Sequence, residues 1–238
     1  RSGGEEFTIG GIAKGSGMIH PNMATMLGFL TTDAAVDLAF LRSVLRRVAD
    51  VSFNMISVDG DTSPSDTVLL MANGLAKNKV ISVDSPLAEA FERALTQICL
   101  YLAKAIARDG EGATRLIEVT VQGAASVSDA RLAARTIVGS SLVKTAVYGG
   151  DPNWGRIIAA LARSGAEVVE SKIDLDIGKV KVLKGGRPLS FREADVIGVF
   201  RESEVPIKVS LNLGTASATA WGCDLTPEYV KINSEYMT

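Results

Sequence analysis

Ser85-Pro-Leu-Ala-Glu-Ala-Phe-Glu-Arg-Ala-Leu-Thr-Gln-Ile-Cys-Leu-Tyr-Leu-Ala-Lys-Ala-Ile-Ala-Arg-Asp-Gly110 is the longest periodic segment of the chain. Leu87, Phe91, Leu95, Ile98, Leu102 and Ile106 recur at helical spacing and form one apolar stripe. Ser85 is a natural N-cap, Pro86 fits a first helical position that needs no N–H, Glu89 falls in the first turn and Gly110 ends the run. A helix with one apolar stripe must lie against another layer. Outward from it, Asp37–Asp50 repeats the pattern: Leu38, Leu41, Val44, Leu45 and Val48 oppose Arg42, Arg46 and Arg47. Two further helices are predicted near Ser128–Val138 and Trp154–Ser164. Strand character marks Met26–Leu30, Thr67–Met71, Leu116–Val121, Ile173–Ile177, Val180–Leu183 and Val205–Leu213. Ile173-Asp-Leu-Asp-Ile alternates strictly, which gives that strand one wet face, and Lys184-Gly-Gly-Arg-Pro is a turn signal. Helices and strands do not alternate regularly, so the pattern predicts a layered α/β sandwich rather than a Rossmann sheet. A shift of composition near Ala166–Ser171 suggests a subdomain boundary.

The 238 residues are 47% hydrophobic and 22% charged, enough apolar surface for a core and too much for a disordered chain. Lys and Arg number 25 against 27 Asp and Glu, so no positive field invites nucleic acid. Charges interrupt the apolar stretches well short of the roughly 20 residues of a membrane span. The opening Arg1-Ser-Gly-Gly-Glu-Glu6 is polar and unlike a secretory signal, and the expected compartment is the cytoplasm. Two cysteines are too few for a disulfide scaffold, and a single histidine excludes a His-rich metal site.

Several local patterns reduce to ordinary structure. Gly10-Gly-Ile-Ala-Lys-Gly-Ser-Gly17 fails as a phosphate loop, because Lys14 precedes Gly15 where the loop needs Lys after its second glycine. Asp59-Gly-Asp-Thr-Ser-Pro-Ser-Asp66 fails as a calcium loop: Pro64 replaces the required glycine and Leu70 the bidentate glutamate. It reads as a turn held by its own side chains. His20 precedes the Pro21-Asn22 turn with no paired nucleophile and reads as a surface or loop residue. Cys99 and Cys223 read as small buried hydrophobes.

Met23-Ala24-Thr25-Met26 permits another kind of chemistry. A threonine at a chain N-terminus carries its own base, because the α-amino group lies within reach of its Oγ. The Ala24–Thr25 bond must first be cut, since an acylated nitrogen is no base. Attack of Thr25 Oγ on the preceding carbonyl would cut it.

The surrounding residues carry a resemblance. Ala13-Lys-Gly-Ser-Gly-Met-Ile-His-Pro-Asn-Met-Ala-Thr-Met-Leu27 resembles the self-cleavage segment of the ornithine acetyltransferase (glutamate N-acetyltransferase) family. Further matches are Ser57-Val-Asp-Gly-Asp-Thr-Ser-Pro-Ser-Asp-Thr67, Asp109-Gly-Glu-Gly-Ala-Thr114, Leu142-Val-Lys-Thr-Ala146, Gly150-Asp-Pro-Asn-Trp-Gly-Arg156, Trp221-Gly-Cys-Asp-Leu-Thr226 and the tail Tyr229-Val-Lys-Ile-Asn-Ser-Glu-Tyr-Met-Thr238. They run in order along nearly the whole chain.

The resemblance implies a layered αββα-type sandwich of the ornithine acetyltransferase and aminopeptidase group, with a C-terminal α/β portion. On that pattern residues 1–24 end an α chain, 25–168 form the main layers and 169–238 form the C-terminal portion and active-site tail. It implies cleavage at Ala24–Thr25, with Thr25 as nucleophile. Acetyl would pass from N-acetylornithine to glutamate through an acetyl-threonine, and some members of the family also use acetyl-CoA. Lys14, Thr25, Glu111, Asn233 and Thr238 match the substrate-contacting set. Lys14 would hold an α-carboxylate and Glu111 a side-chain ammonium. No metal or bound cofactor is implied, nor any nucleic-acid or membrane partner. Asp151, Asn153 and Arg156 read as shaping a turn and a helix start. The family's α chain is much longer than the 24 residues before Thr25, and its oxyanion-hole Thr-Gly pair lies in the part not matched here, so an α-chain partner and an α2β2 heterotetramer are expected. Met237 replaces a small polar residue common in the family. An N-terminal-nucleophile amidohydrolase or aminopeptidase, or an unprocessed non-catalytic subunit, remain as alternatives.

Overall fold

The computed structural model describes residues 5–20 and 26–235. Two sheets organise them. Strands β1 (Ile9–Lys14), β2 (Leu27–Thr32) and β4 (Thr67–Ala72) form a three-stranded sheet in the order β1-β2-β4. β1 and β2 are antiparallel with Lys14 opposite Leu27, and β2 and β4 are parallel with Leu27 opposite Thr67. The larger sheet takes β3 (Ile56–Ser57), β5 (Leu116–Ala124), β6 (Asp174–Ile177), β7 (Val180–Lys184), β8 (Arg187–Pro188), β9 (Glu204–Ser210) and β10 (Ala216–Cys223). Their order is β3-β10-β5-β9-β6-β7-β8, so strands from both sides of residue 168 share one sheet.

Helix α1 (Leu38–Val51) is capped by Asp37, whose side chain accepts the Phe40 N–H at 2.9 Å. Helix α2 (Ala88–Arg108) lies between the two sheets. Its Leu102 and Ile106 reach Gly11 and Gly15 at β1, while Lys104, on the opposite side, binds Glu118 of β5 at 2.9 Å and covers the Trp221 ring of β10 at 4.9 Å. Trp221 Nε1 also donates to Glu118 at 2.6 Å. Helix α3 (Val127–Val138) packs on β5 and β10, next to α4 (Ser141–Gly149) and α5 (Gly155–Ala162). Helices α6 (Glu193–Phe200) and α7 (Pro227–Glu235) complete the order. Stacked sheets and helices are the layered α/β class expected from the sequence. Burial of Phe91, Leu95, Leu30, Ile117 and Val119 between these layers supplies the main stabilisation. No helix among the described residues is long and apolar enough to cross a membrane.

Most expected elements are present with shifted ends. The alternating strand buries Ile173, Leu175 and Ile177 and turns Asp174 and Asp176 outward. Helix α2 starts two residues later than its cap signal predicts. Ser85 O accepts the Ala88 N–H at 2.9 Å and Ser85 Oγ the Leu87 N–H at 3.2 Å, so Ser85 closes a turn ahead of the helix instead of capping it. The Gly10 stretch forms most of strand β1, and α4, α6, α7 and β10 have no counterpart in the periodicity reading.

Candidate active site

The β1–β2 register makes residues 9–32 a hairpin, and Lys14 opposite Leu27 closes a long loop. Ala24 and Thr25 fall between these two residues in sequence and, like Thr238 at the far end of the chain, lie outside the described residues. The described part, residues 15–20, is tied through several of its polar groups to distant parts of the chain. Asp59 accepts the N–H groups of Met18 at 2.6 Å and Ile19 at 3.0 Å. Two successive amides converging on one carboxylate form an anion nest, and it holds Met18 at φ 53°, a left-handed conformation costly for a side chain of this kind. Ile19 O accepts the Val58 N–H at 2.6 Å, His20 O accepts the Thr62 hydroxyl at 3.1 Å, and His20 Nδ1 meets Ser57 Oγ at 3.0 Å. Ser16 O accepts the Glu111 N–H at 2.9 Å.

Glu111 follows the end of α2 and lies against Gly17 so closely that a Cβ there would stand 2.5 Å from the carboxylate. Its Oε2 accepts the side-chain amide of Asn233 at 2.9 Å, and Asn233 also donates to Tyr229 O at 3.0 Å. The next residue, Gly112, has φ +67°, and a Cβ there would meet Tyr229 N at 2.6 Å. Only glycine lets α7 dock this tightly on the turn. Thr226 fixes the approach by donating to Gly112 O at 2.7 Å, and Tyr229 closes the ring by donating its hydroxyl to Asp59 at 3.2 Å. Burial raises the Tyr229 phenol above its ordinary value, and Asp59, Asp61 and Glu111 push it the same way, so it stays a donor.

Lys14 is exposed, has no hydrogen-bond or ionic partner among the described residues, and borders a cleft of ≈ 480 Å³ with Gly15, Ser16, Ile106 and Asp109. Of the residues predicted from the sequence, Glu111 and Asn233 meet each other beside Gly17, whereas Lys14, at the start of the same loop, borders a cleft that neither of them lines. Sequence reading missed Asp59 as the hub of this arrangement. Its local bond to Asp61 N at 3.3 Å is the turn contact expected, but its other partners are remote. His20 lies in a loop, as expected, but is partly buried, and burial first, then Arg135, lowers its pKa against the opposing pull of Asp59 and Asp61. Burial pushes the Cys99 thiol up to about 12 and Cys223 upward too, so neither is a ready nucleophile. Asp151 and Arg156 do pair, at 2.9 Å, beside the start of α5. No group of three or more His, Cys, Asp or Glu able to hold a metal occurs among the described residues.

Fold and site together define a layered α/β protein whose polar centre joins a hairpin loop, a turn after the central helix and the C-terminal helix. A model of the ArgJ family matches residues 1–238, and the chain belongs to that family. It is 58% identical over 236 residues to the arginine biosynthesis bifunctional protein ArgJ of Symbiobacterium thermophilum and 52% identical over 236 residues to that of Bacillus subtilis. These matches take in 99% of this chain but 59% and 58% of the relatives, so the chain spans less than two thirds of their length. The crystal structure of the arginine biosynthesis bifunctional protein argJ from Bacillus halodurans superposes with a TM-score of 0.87 at 49% identity, over 89% of this chain and 100% of that one.

Proposed function

We propose that this chain is the catalytic part of an acetyltransferase that moves acetyl from N-acetylornithine to glutamate, with Thr25 as nucleophile. The observation that carries the proposal is the convergence of Asp59, Glu111, Asn233 and Tyr229 on the loop that leads to Thr25, in a member of the ArgJ family. Self-cleavage at Ala24–Thr25 frees the α-amino group. That amine takes the Oγ proton, and the hydroxyl attacks the acetyl carbonyl of N-acetylornithine. Ornithine leaves, glutamate enters, and its amine takes the acetyl group. Lys14 holds the α-carboxylate of either substrate, Glu111 receives the ornithine ammonium with Asn233 beside it, and Thr238 closes the pocket. Acetyl-CoA serves as an alternative donor, and no bound cofactor takes part.

In this reading residues 1–24 end an α chain, 25–168 carry the main layers, and 169–238 form the C-terminal α/β portion, whose strands share the large sheet, and the active-site tail. The rest of the α chain adds the oxyanion donors, worth a few kcal/mol of transition-state stabilisation. An apolar row on the outer face of the small sheet supports such a partner. Ile12, Phe29 and Leu69 stand side by side in register at 70%, 36% and 45% exposure. The assembly is an α2β2 heterotetramer in the cytoplasm.

The test is intact mass of protein made from the full-length gene, beside Thr25→Ala, followed by acetyl release from N-acetylornithine with and without glutamate. Two pieces, the larger beginning at Thr25, with release that depends on glutamate, are expected. An uncut wild type overturns the nucleophile, and release indifferent to glutamate makes the protein a hydrolase.

A further inference from the structure

Helix α3 carries a cation that the described residues leave without an acceptor. Arg135 stands half-buried on the helix face that also holds Arg131 and Leu132, four and three residues before it. A guanidinium has five N–H donors, yet Arg135 makes no side-chain hydrogen bond or ion pair among the described residues. Burial, then the like charge of Arg131, lowers its pKa from the ordinary guanidinium value, as for a cation taken from water without compensation. The carboxylates of this region serve other groups. Asp50 accepts the Asn54 side-chain amide at 2.9 Å, and Arg131 donates to Asp50 O and stands 3.9 Å from its Oδ2. Asp129 accepts the Ser126 hydroxyl and, at 3.2 Å, the Glu167 N–H.

Space for an acceptor lies beside the arginines. A cleft of ≈ 450 Å³ runs between Arg131, Leu132 and Arg135 of α3 and Asp50, Asn54 and Met55 at and just beyond the end of α1. Two arginines against one aspartate leave it net positive, and Leu132, 45% exposed, gives it an apolar side. The volume suits a small organic molecule rather than a single ion. The cleft shares no lining residue with the one that Lys14 borders.

We propose that this cleft binds an organic oxyanion, a carboxylate or a phosphate ester, whose oxygens pair with the Arg135 fork. A planar guanidinium matches either headgroup through two parallel N–H···O bonds. Arg131 adds a second positive charge beside the oxyanion, and the apolar part of the ligand lies on Leu132. The pairing satisfies donors that the fold leaves open and restores the compensation that Arg135 loses on burial. No bond is made or broken there, and the site is separate from acetyl transfer.

The test uses protein from the full-length gene in Tris chloride, titrated calorimetrically with benzoate, phenyl phosphate and, as a neutral match, benzamide. Wild type is expected to bind at least one anion and not benzamide. The tighter of the two tells a carboxylate ligand from a phosphate ester. Arg135→Gln should weaken that binding about 10- to 100-fold, the loss expected for hydrogen bonds to a charged group. Leu132→Glu, an exposed change three residues away, should abolish it by setting a carboxylate before the arginines. Melting curves give a sign that a purely structural arginine would reverse. Without anion, Arg135→Gln should melt at or above wild type, because an uncompensated charge is gone, and added anion should raise wild type alone. An Arg135→Gln that melts well below wild type overturns the proposal, since the arginine then has its acceptor inside the fold. A wild type that binds neither anion overturns it too, as does binding unchanged in both variants.

Discussion

Asn233 donates its side-chain amide to Oε2 of Glu111 at 2.9 Å, across 122 residues of sequence. The bond joins the C-terminal helix to the turn after α2, and the Glu111 N–H joins that turn to the hairpin loop through Ser16 O. A tail helix with no fully buried residue is thereby held in place by polar contacts and by its close approach to Gly112.

Glu111→Gln removes the charge and keeps the shape. A hydrogen bond to a charged group is worth about 1.5–3 kcal/mol. Glu111→Gln in the full-length protein is therefore expected to raise KM for N-acetylornithine about 10- to 100-fold. Cleavage of the precursor should proceed as in wild type. Steady-state kinetics with intact-mass analysis checks both, and an unchanged KM would remove Glu111 from the binding set.

Lys104, Glu118 and Trp221 tie α2 to the large sheet. Burial of Glu118 works against its charge, but the bonds from Lys104 and Trp221 outweigh it and lower the carboxyl pKa below 4.5. The sign follows: the contribution is present above pH 4.5 and is lost as pH falls through the lowered folded value. The pair is over a third exposed, so Lys104→Met should cost only about 0.5–1 kcal/mol near neutrality. Denaturant midpoints measured at pH 7 and pH 3 should show this deficit shrinking at the lower pH.

Legibility in the sequence depended on where the partners lie. Helix α1 announces itself because Leu41, Val44 and Val48 share one face, and β6 because Leu175 and Ile177 alternate with aspartates. Strand β10 is silent, since Ala216-Ser-Ala-Thr-Ala220 offers no branched alternation; its pairing with β3 and β5 makes it a strand. Helix α7 is short and its Tyr229, Val230 and Ile232 fall on no single stripe, so no period marks it. Lys14, Glu111 and Asn233 were legible only through resemblance, because singly each is an ordinary solvated group. Asp59 resembles a turn residue in sequence, and nothing local shows that Met18, Ile19 or Tyr229 will bind it.

His20 offers a second pH dependence of folding. Burial, then Arg135, lowers its pKa from 6.5, so between the folded value and 6.5 the unfolded chain binds the proton more readily. Stability is complete above about pH 6.5, declines as pH falls through that window and levels off below it. His20→Gln should flatten this segment of a melting-temperature profile recorded on the full-length protein. A profile identical to wild type would mean that His20 titrates alike in both states.

The outer face of the small sheet makes the last prediction. Phe29 lies at its centre, between Ile12 on β1 and Leu69 on β4, while the opposite face carries Leu30, buried against α2. A charge at Phe29 leaves the core untouched but is incompatible with an apolar partner layer. In the cleaved full-length protein, Phe29→Glu should lower the amount of α chain recovered with a tagged β chain. Leu189→Glu, an exposed change just beyond β8, should not. Equal recovery in the two variants would show that the α chain covers some other surface, and the apolar row would then have to be explained by a different neighbour.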